Sequence, residues 1–111
     1  MALDPEQNAA NNFSGLPFEA ALEWAKKMPE HSTLSFSGPL THPGYKDVPV
    51  TYIFTEQDRT VPPAMQRAQI ATIEEARGGK VEVLPIPTDH FPYVTATEEM
   101  AGALRKVLAA L

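Results

Sequence analysis

Asp58 and His90 are the residues whose types and setting could do chemistry together. A neutral imidazole accepts a proton only at a free ring nitrogen. A carboxylate on the other nitrogen fixes the tautomer and stabilises the imidazolium that forms. Asp58 lies in the polar run Thr55-Glu56-Gln57-Asp58-Arg59-Thr60, and His90 lies in Thr88-Asp89-His90-Phe91-Pro92. Each follows a short apolar run, so each is expected just past a strand. A lone Asp and a lone His after strands are also common as structural residues, so spacing alone leaves both roles open. Glu56 is an alternative partner for the imidazole. Asp89, adjacent to His90 in sequence, is expected to point elsewhere and to be structural. The nucleophile is harder to find. The chain has no cysteine, and Ser14 and Ser37 lie in Phe-Ser-Gly-Leu and Phe-Ser-Gly-Pro. His31 and His42 read as solvated surface residues. The 3 histidines have no regular spacing, so no metal site is expected, and no cofactor is expected either.

The elements that must position this pair follow from hydrophobic periodicity. Val48-Pro49-Val50-Thr51-Tyr52-Ile53-Phe54 has the β-branched and aromatic content of a strand buried on both faces. Pro49 near its start is tolerated there. From Pro62 to Arg77 the text reads as a helix. Prolines stand in its first turn, Gly78-Gly79 follows as a stop, and Met65, Ala68, Ile73 and Ala76 form an apolar face diluted by Gln69 and Thr72. Val81-Glu82-Val83-Leu84-Pro85-Ile86 is a second strand. The helix between them is long enough for a right-handed crossover, which makes the strands parallel. Their C-terminal ends then share one edge, where α/β sheets place ligand sites. A last helix opens on Thr95-Ala96-Thr97-Glu98, a capping-box pattern. It carries Met100, Ala103, Leu104, Val107, Leu108 and Leu111 at helical spacing.

Residues 1–47 are expected to be an N-terminal arm, a cap-like helix and a loop, ahead of a βαβα unit at 48–111. The arm, through Asn12, reads as loose, with a turn at Asp4-Pro5. Ser14 is expected to cap a helix with Pro17 in its first turn, apolar residues at Phe18, Ala21, Leu22 and Ala25, and a stop at Pro29. Trp24 falls off that stripe and is a candidate to line a pocket, although partial burial explains it as well. Residues 33–37 alternate enough to suggest a short edge strand.

With 111 residues, the chain is expected to be one domain. Hydrophobic content of 43% and charged content of 21% are ordinary for globular proteins. A net charge of -5 argues against nucleic acid as a partner, because phosphate neutralisation needs clustered Lys and Arg. No apolar run reaches membrane-spanning length, and the N-terminus lacks the features of a signal peptide. A soluble, cytoplasmic protein without membrane contacts is the expectation. Tyr52, Phe91 and Tyr93 are candidate pocket residues beside the Asp-His pair.

The run from Val48 through Asp58 to Pro62, followed by Asp89-His90-Phe91-Pro92, resembles the C-terminal part of an α/β-hydrolase. The Asp-His-Phe-Pro form is similar to the branch that holds small esterases, methyl esterases and hydroxynitrile lyases. Leu16-Pro17 and Tyr52-Ile53 resemble fungal hydrolase-like proteins of secondary metabolism. The resemblance implies a truncated α/β-hydrolase-like fold in which Asp58 orients His90 and a serine on a Gly-x-Ser-x-Gly elbow attacks. That motif is absent from this sequence. Three readings stay open: a non-hydrolytic acid/base enzyme acting on a small ester or polyketide-like molecule, an inactive relative that binds a ligand or a partner, and one half of a split hydrolase. The resemblance also implies an earlier strand beside the first one. With no convincing candidate for it, self-association or a partner protein at an exposed sheet edge is expected.

Overall fold

Asp4 starts the first helix in a computed structural model that describes residues 4–111. Its Oδ1 accepts the amides of Glu6 at 2.9 Å and Gln7 at 3.0 Å, and Pro5 occupies the first helical turn. An Asp cap followed by proline stabilises a helix start, so the expected loose arm is instead helix α1, Pro5–Asn12. Residues 1–3 of that arm lie outside the described residues. Helix α2, Phe18–Ala25, packs on α1 through Ala9, Phe13, Ala21 and Ala25, which form a small apolar core. Pro17, not Ser14, is the residue that caps α2, and it contributes no side-chain hydrogen bond. The helix ends at Ala25, before the expected stop at Pro29, and Phe18 stays half-exposed.

Residues 33–37 do not form a strand. They make a 3-10 turn, Thr33–Phe36. The Ser32 carbonyl accepts both the amide and the hydroxyl of Ser35, and Ser37 donates its amide to Leu34 O. Such local serine bonds compete with a sheet ladder. A second turn, Gly44–Lys46, leads into strand β1, Thr51–Thr55. Helix α3, Pro63–Arg77, follows and ends at Gly78 in the left-handed conformation, φ 67°, a geometry glycine adopts without a Cβ penalty. Strand β2 spans Glu82–Ile86. The short helix α4, Pro92–Thr95, and helix α5, Thr97–Ala109, complete the chain.

The two strands are parallel and adjacent, with Thr51 opposite Glu82 and Thr55 opposite Ile86. The fold is thus mixed α/β around a two-stranded parallel sheet. Both strands are shorter than the apolar runs suggested, and β1 is not buried on both faces: among its residues only Phe54 is buried, and Val48 just before it is exposed. The capping box at Thr95 does not form. Thr95 is the last residue of α4, its hydroxyl donates to Asp89 Oδ1 at 2.6 Å, and Ala96 is the residue that caps α5, without a side-chain hydrogen bond. On α5, Ala103 is buried, but Leu104 and Leu108 are exposed; on α3, Met65 is exposed and the fully buried residue is Gln66. Both helices therefore present more apolar surface than the sheet covers.

The two sheet edges differ. Glu82 donates its amide to Val50 O, and Ile86 O accepts the amide of Glu56. In a parallel ladder alternate residues face the partner, so Pro85 faces the outer side of β2 and removes a donor there. Proline in a strand marks such an edge. Across the sheet, the alternation turns Thr51, Ile53 and Thr55 of β1 outward, and among the described residues no strand pairs with them.

Candidate active site

Strand β1 stops where the Thr55 backbone leaves the ladder. Gln66, 1% exposed, takes over that backbone with its side-chain amide. Its Oε1 accepts Thr55 N–H at 3.0 Å, and its Nε2 donates to Thr55 O and Val61 O, each at 2.8 Å. The loop between these carbonyls carries Asp58. The Asp58 carboxylate folds the loop around itself: Oδ1 accepts the amides of Thr60 and Val61, each at 2.8 Å, and Oδ2 accepts the Thr55 hydroxyl at 3.0 Å. This is the local chemistry by which Asp shapes turns.

His90 arrives from the end of β2. Gln57 N–H donates to Thr88 O at 3.0 Å and ties the two loops. His90 Nδ1 then lies 2.8 Å from Asp58 Oδ2. An ionised carboxylate only accepts, so Nδ1 carries the proton and donates it. No hydrogen bond to the other ring nitrogen, Nε2, occurs among the described residues. Asp58 is 6% exposed, and its burial disfavours the charged form. Hydrogen bonds from His90, the Val61 amide and the Thr55 hydroxyl, with the charge of His90, outweigh burial and hold the Asp58 carboxyl below the usual carboxylate range.

The pair lines a cleft of about 270 Å³, with Tyr52, Ile53, Tyr93 and Met100 on its walls. That volume is near the small end of ligand pockets. The Tyr52 hydroxyl donates to Gln69 Oε1 at 2.8 Å, and burial, then the negative charge of Asp58, pushes its pKa up. Tyr52 thus stays a hydroxyl, with its hydrogen held by Gln69.

The remaining candidates separate clearly. Phe91 does not line the cleft. It meets His90 edge-on, with centroids 5.2 Å apart, and stacks on Phe13 at 4.8 Å, so it supports the imidazole from behind. Trp24 is not brought to the site: it lies half-exposed on α2, with Lys27 Nζ 4.6 Å from its ring centroid. Glu56 is exposed, and Asp58 is the carboxylate on the imidazole. Asp89 is 2% exposed and bonded to Gly15, Phe91 and Thr95. Neither Ser14 nor Ser37 lines the cleft. His42 pairs with Asp47 at 2.7 Å and His31 contacts Ser35, both on the surface. Among the described residues no group of three or more His, Cys, Asp or Glu could hold a metal ion, and no helix is long and apolar enough to cross a membrane.

Gln66 is the main site residue that sequence reasoning misses. Its signal was faint: a glutamine in the first turn of a helix that directly follows the Asp58 loop, on the side where an apolar residue would be expected.

The chain is similar to a curated protein named "Probable hydrolase R7" from a Phoma species. The two are 32% identical over 107 residues, which is 96% of this chain and 44% of that protein. The chain thus has a hydrolase-like relative, and it spans less than half of that relative's length. No family model matches the chain.

Proposed function

We propose that these residues form the acid–base arm of an α/β-hydrolase-type active site, corresponding to the C-terminal part of such a fold. His90 is the general base and Asp58 orients it. The substrate is a small organic molecule, an ester or a polyketide-like compound, of secondary metabolism. The observation that carries the reading is the 2.8 Å bond from His90 Nδ1 to Asp58 Oδ2, at the C-terminal ends of adjacent parallel strands. That bond leaves Nε2 as the basic nitrogen of the neutral ring. Similarity to a hydrolase-like protein supports the same reading. The open edge of β1 fits a strand from the rest of such a sheet, since Pro85 removes a ladder donor at the other edge, on β2.

In this reading the hydrolytic nucleophile comes from residues other than these 111, and His90 activates it. A second reading is favoured by one observation: no serine lines the cleft. His90 would then move a proton on the substrate itself, in an isomerisation, elimination or cyclisation, where a positioned base typically contributes about a hundred- to ten-thousand-fold. The test compares ester hydrolysis with solvent-deuterium incorporation into small carbonyl substrates, for the chain alone and with a serine-bearing hydrolase segment added. Hydrolysis that requires the added segment supports the first reading, and deuterium exchange by the chain alone supports the second. Either activity should be abolished by His90→Ala. Neither activity under any condition would leave a binding role in place of catalysis.

A further inference from the structure

The end of α1 and the connector that follows it reach the two loops that carry Asp58 and His90. On the first side, Asn12 Oδ1 accepts the Thr60 hydroxyl, and the Thr60 amide donates to Asp58 Oδ1 at 2.8 Å. Asn12 is itself fixed, because its Nδ2 donates to Asn8 Oδ1 and Asn8 Nδ2 lies 3.1 Å from Met28 Sδ. Asn8 and Asn12 are 5% and 6% exposed. On the second side, the Gly15 amide donates to Asp89 Oδ2 at 2.9 Å, and Phe13 stacks on Phe91, which meets the His90 ring. A Cβ added at Gly15 would lie 3.1 Å from Asp89 Oδ2, so that close approach suits a residue without a side chain.

Burying asparagines is costly unless each is bonded, and an apolar helix interface between α1 and α2 would not require them. What they do here is hold a loop. Apart from the connector, the backbone bond from Gln57 to Thr88 ties the two loops. The separation of two side chains on different loops is then set by whatever holds both loops at once.

We infer that residues 12–15 act as a two-sided clamp that sets the Asp58–His90 geometry, with Asn12 and Gly15 as positioning residues. The inference rests on the reading of Asp58 and His90 as the working pair. Asn12 acts through Thr60 on the carboxylate, and Gly15 acts through Asp89 on the imidazole loop. Neither lines the cleft.

Two substitutions in the 111-residue chain test this. Thr60→Val removes the hydroxyl bond to Asn12 at nearly constant shape and keeps the amide bond to Asp58. Gly15→Ala crowds Asp89. The readouts are the titration of the Asp58 carboxyl carbon by NMR and solvent exchange of the His90 Nδ1 proton; neither follows from global folding, which circular dichroism monitors. In both folded variants Asp58 should titrate at a higher pH than in the wild type, and the Nδ1 proton should exchange faster by on the order of tenfold, the size that loss of one net hydrogen bond would give. Thr60→Ser should restore both. Unchanged titration and exchange in the folded variants, or a Thr60→Ser that behaves as Thr60→Val, would overturn the clamp.

If a variant does not fold, hydrogen exchange in the wild type decides. Gly15 and Thr60 amides that open together with the Nδ1 proton support the clamp. A Gly15 amide exchanging freely while the Nδ1 proton stays protected overturns it. These readouts need no substrate, so absence of turnover and failure of the clamp are separate results.

Discussion

Replacing Gln66 with leucine should destabilise the chain by about 2–4 kcal/mol, although the new side chain is apolar, similar in size and placed where Gln66 is 1% exposed. The magnitude follows from what Gln66 holds. Its amide makes bonds of 3.0, 2.8 and 2.8 Å to Thr55 N, Thr55 O and Val61 O. A net hydrogen bond contributes about 0.5–1.5 kcal/mol, and a buried backbone group left unpaired costs about 1–3 kcal/mol. Thr55 and Val61 are partly buried, so water can reach some of the freed groups. That keeps the total near the roughly 1.5–4.5 kcal/mol of three net bonds, well below the sum of three fully unpaired buried groups. For a domain of this size the loss is a large fraction of total stability. Urea unfolding followed by circular dichroism should show the midpoint lowered by about 1–2 M at unchanged slope. The Asp58 loop hangs between the two carbonyls, so any activity should fall as well, even though Gln66 performs no proton transfer. A loss of stability below about 0.5 kcal/mol would show that water replaces Gln66 freely and that the end of β1 does not depend on it.

Further expectations concern the pair and the surface. Asp58→Asn should leave the chain folded near neutral pH but reduce any activity severely, because an amide cannot hold the Nδ1–H tautomer as the carboxylate does; steady-state kinetics on an active substrate checks this. The Asp58 carboxyl is held below its unfolded-state pKa. Its contribution to stability is therefore fully present above the unfolded value and is lost as pH falls through the folded value. Urea midpoints measured across the acid range should fall in the wild type and fall less in Asp58→Asn; parallel curves would contradict the assigned shift. Ser14→Ala and Ser37→Ala should change activity little, and loss of activity at unchanged stability would identify a nucleophile at one of them. The chain exposes 7655 Å² against about 6,000 Å² for a compact monomer of its mass. Its radius of gyration of 15.5 Å exceeds the roughly 13 Å of a compact domain of this length. It should therefore self-associate or bind a partner at micromolar concentration, and sedimentation showing a monodisperse, cooperatively unfolding monomer would count against that.

Much of the site was legible because it depends on chain direction. Two apolar runs with a helix between them are parallel by topology, and that alone brings the ends after Phe54 and Ile86 to one edge. The same logic puts Asp58 within reach of His90, where the 2.8 Å bond is found. Local signals that a tertiary bond overrides were misread. Thr95 looks like a cap, but it closes α4 with its hydroxyl turned to Asp89, and Ala96 starts the next helix. Residues 33–37 alternate like a strand, but local serine bonds curl them into a 3-10 turn. The N-terminal arm hid a helix because its buried positions include Asn8 and Asn12, which a hydrophobicity pattern counts as solvent-facing. Gln66 was invisible for the same reason. Polar residues that are buried to hold backbone read as surface in one dimension.

The most direct test of the acid–base arm is the protonation state of the neutral His90 ring, read from long-range ¹H–¹⁵N NMR spectra of the labelled chain. The proton is expected on Nδ1, in slow exchange and lost in Asp58→Asn, with Nε2 unprotonated and able to accept. A ring protonated on Nε2, or one whose tautomer ignores the Asp58 substitution, would contradict a base at His90 oriented by Asp58.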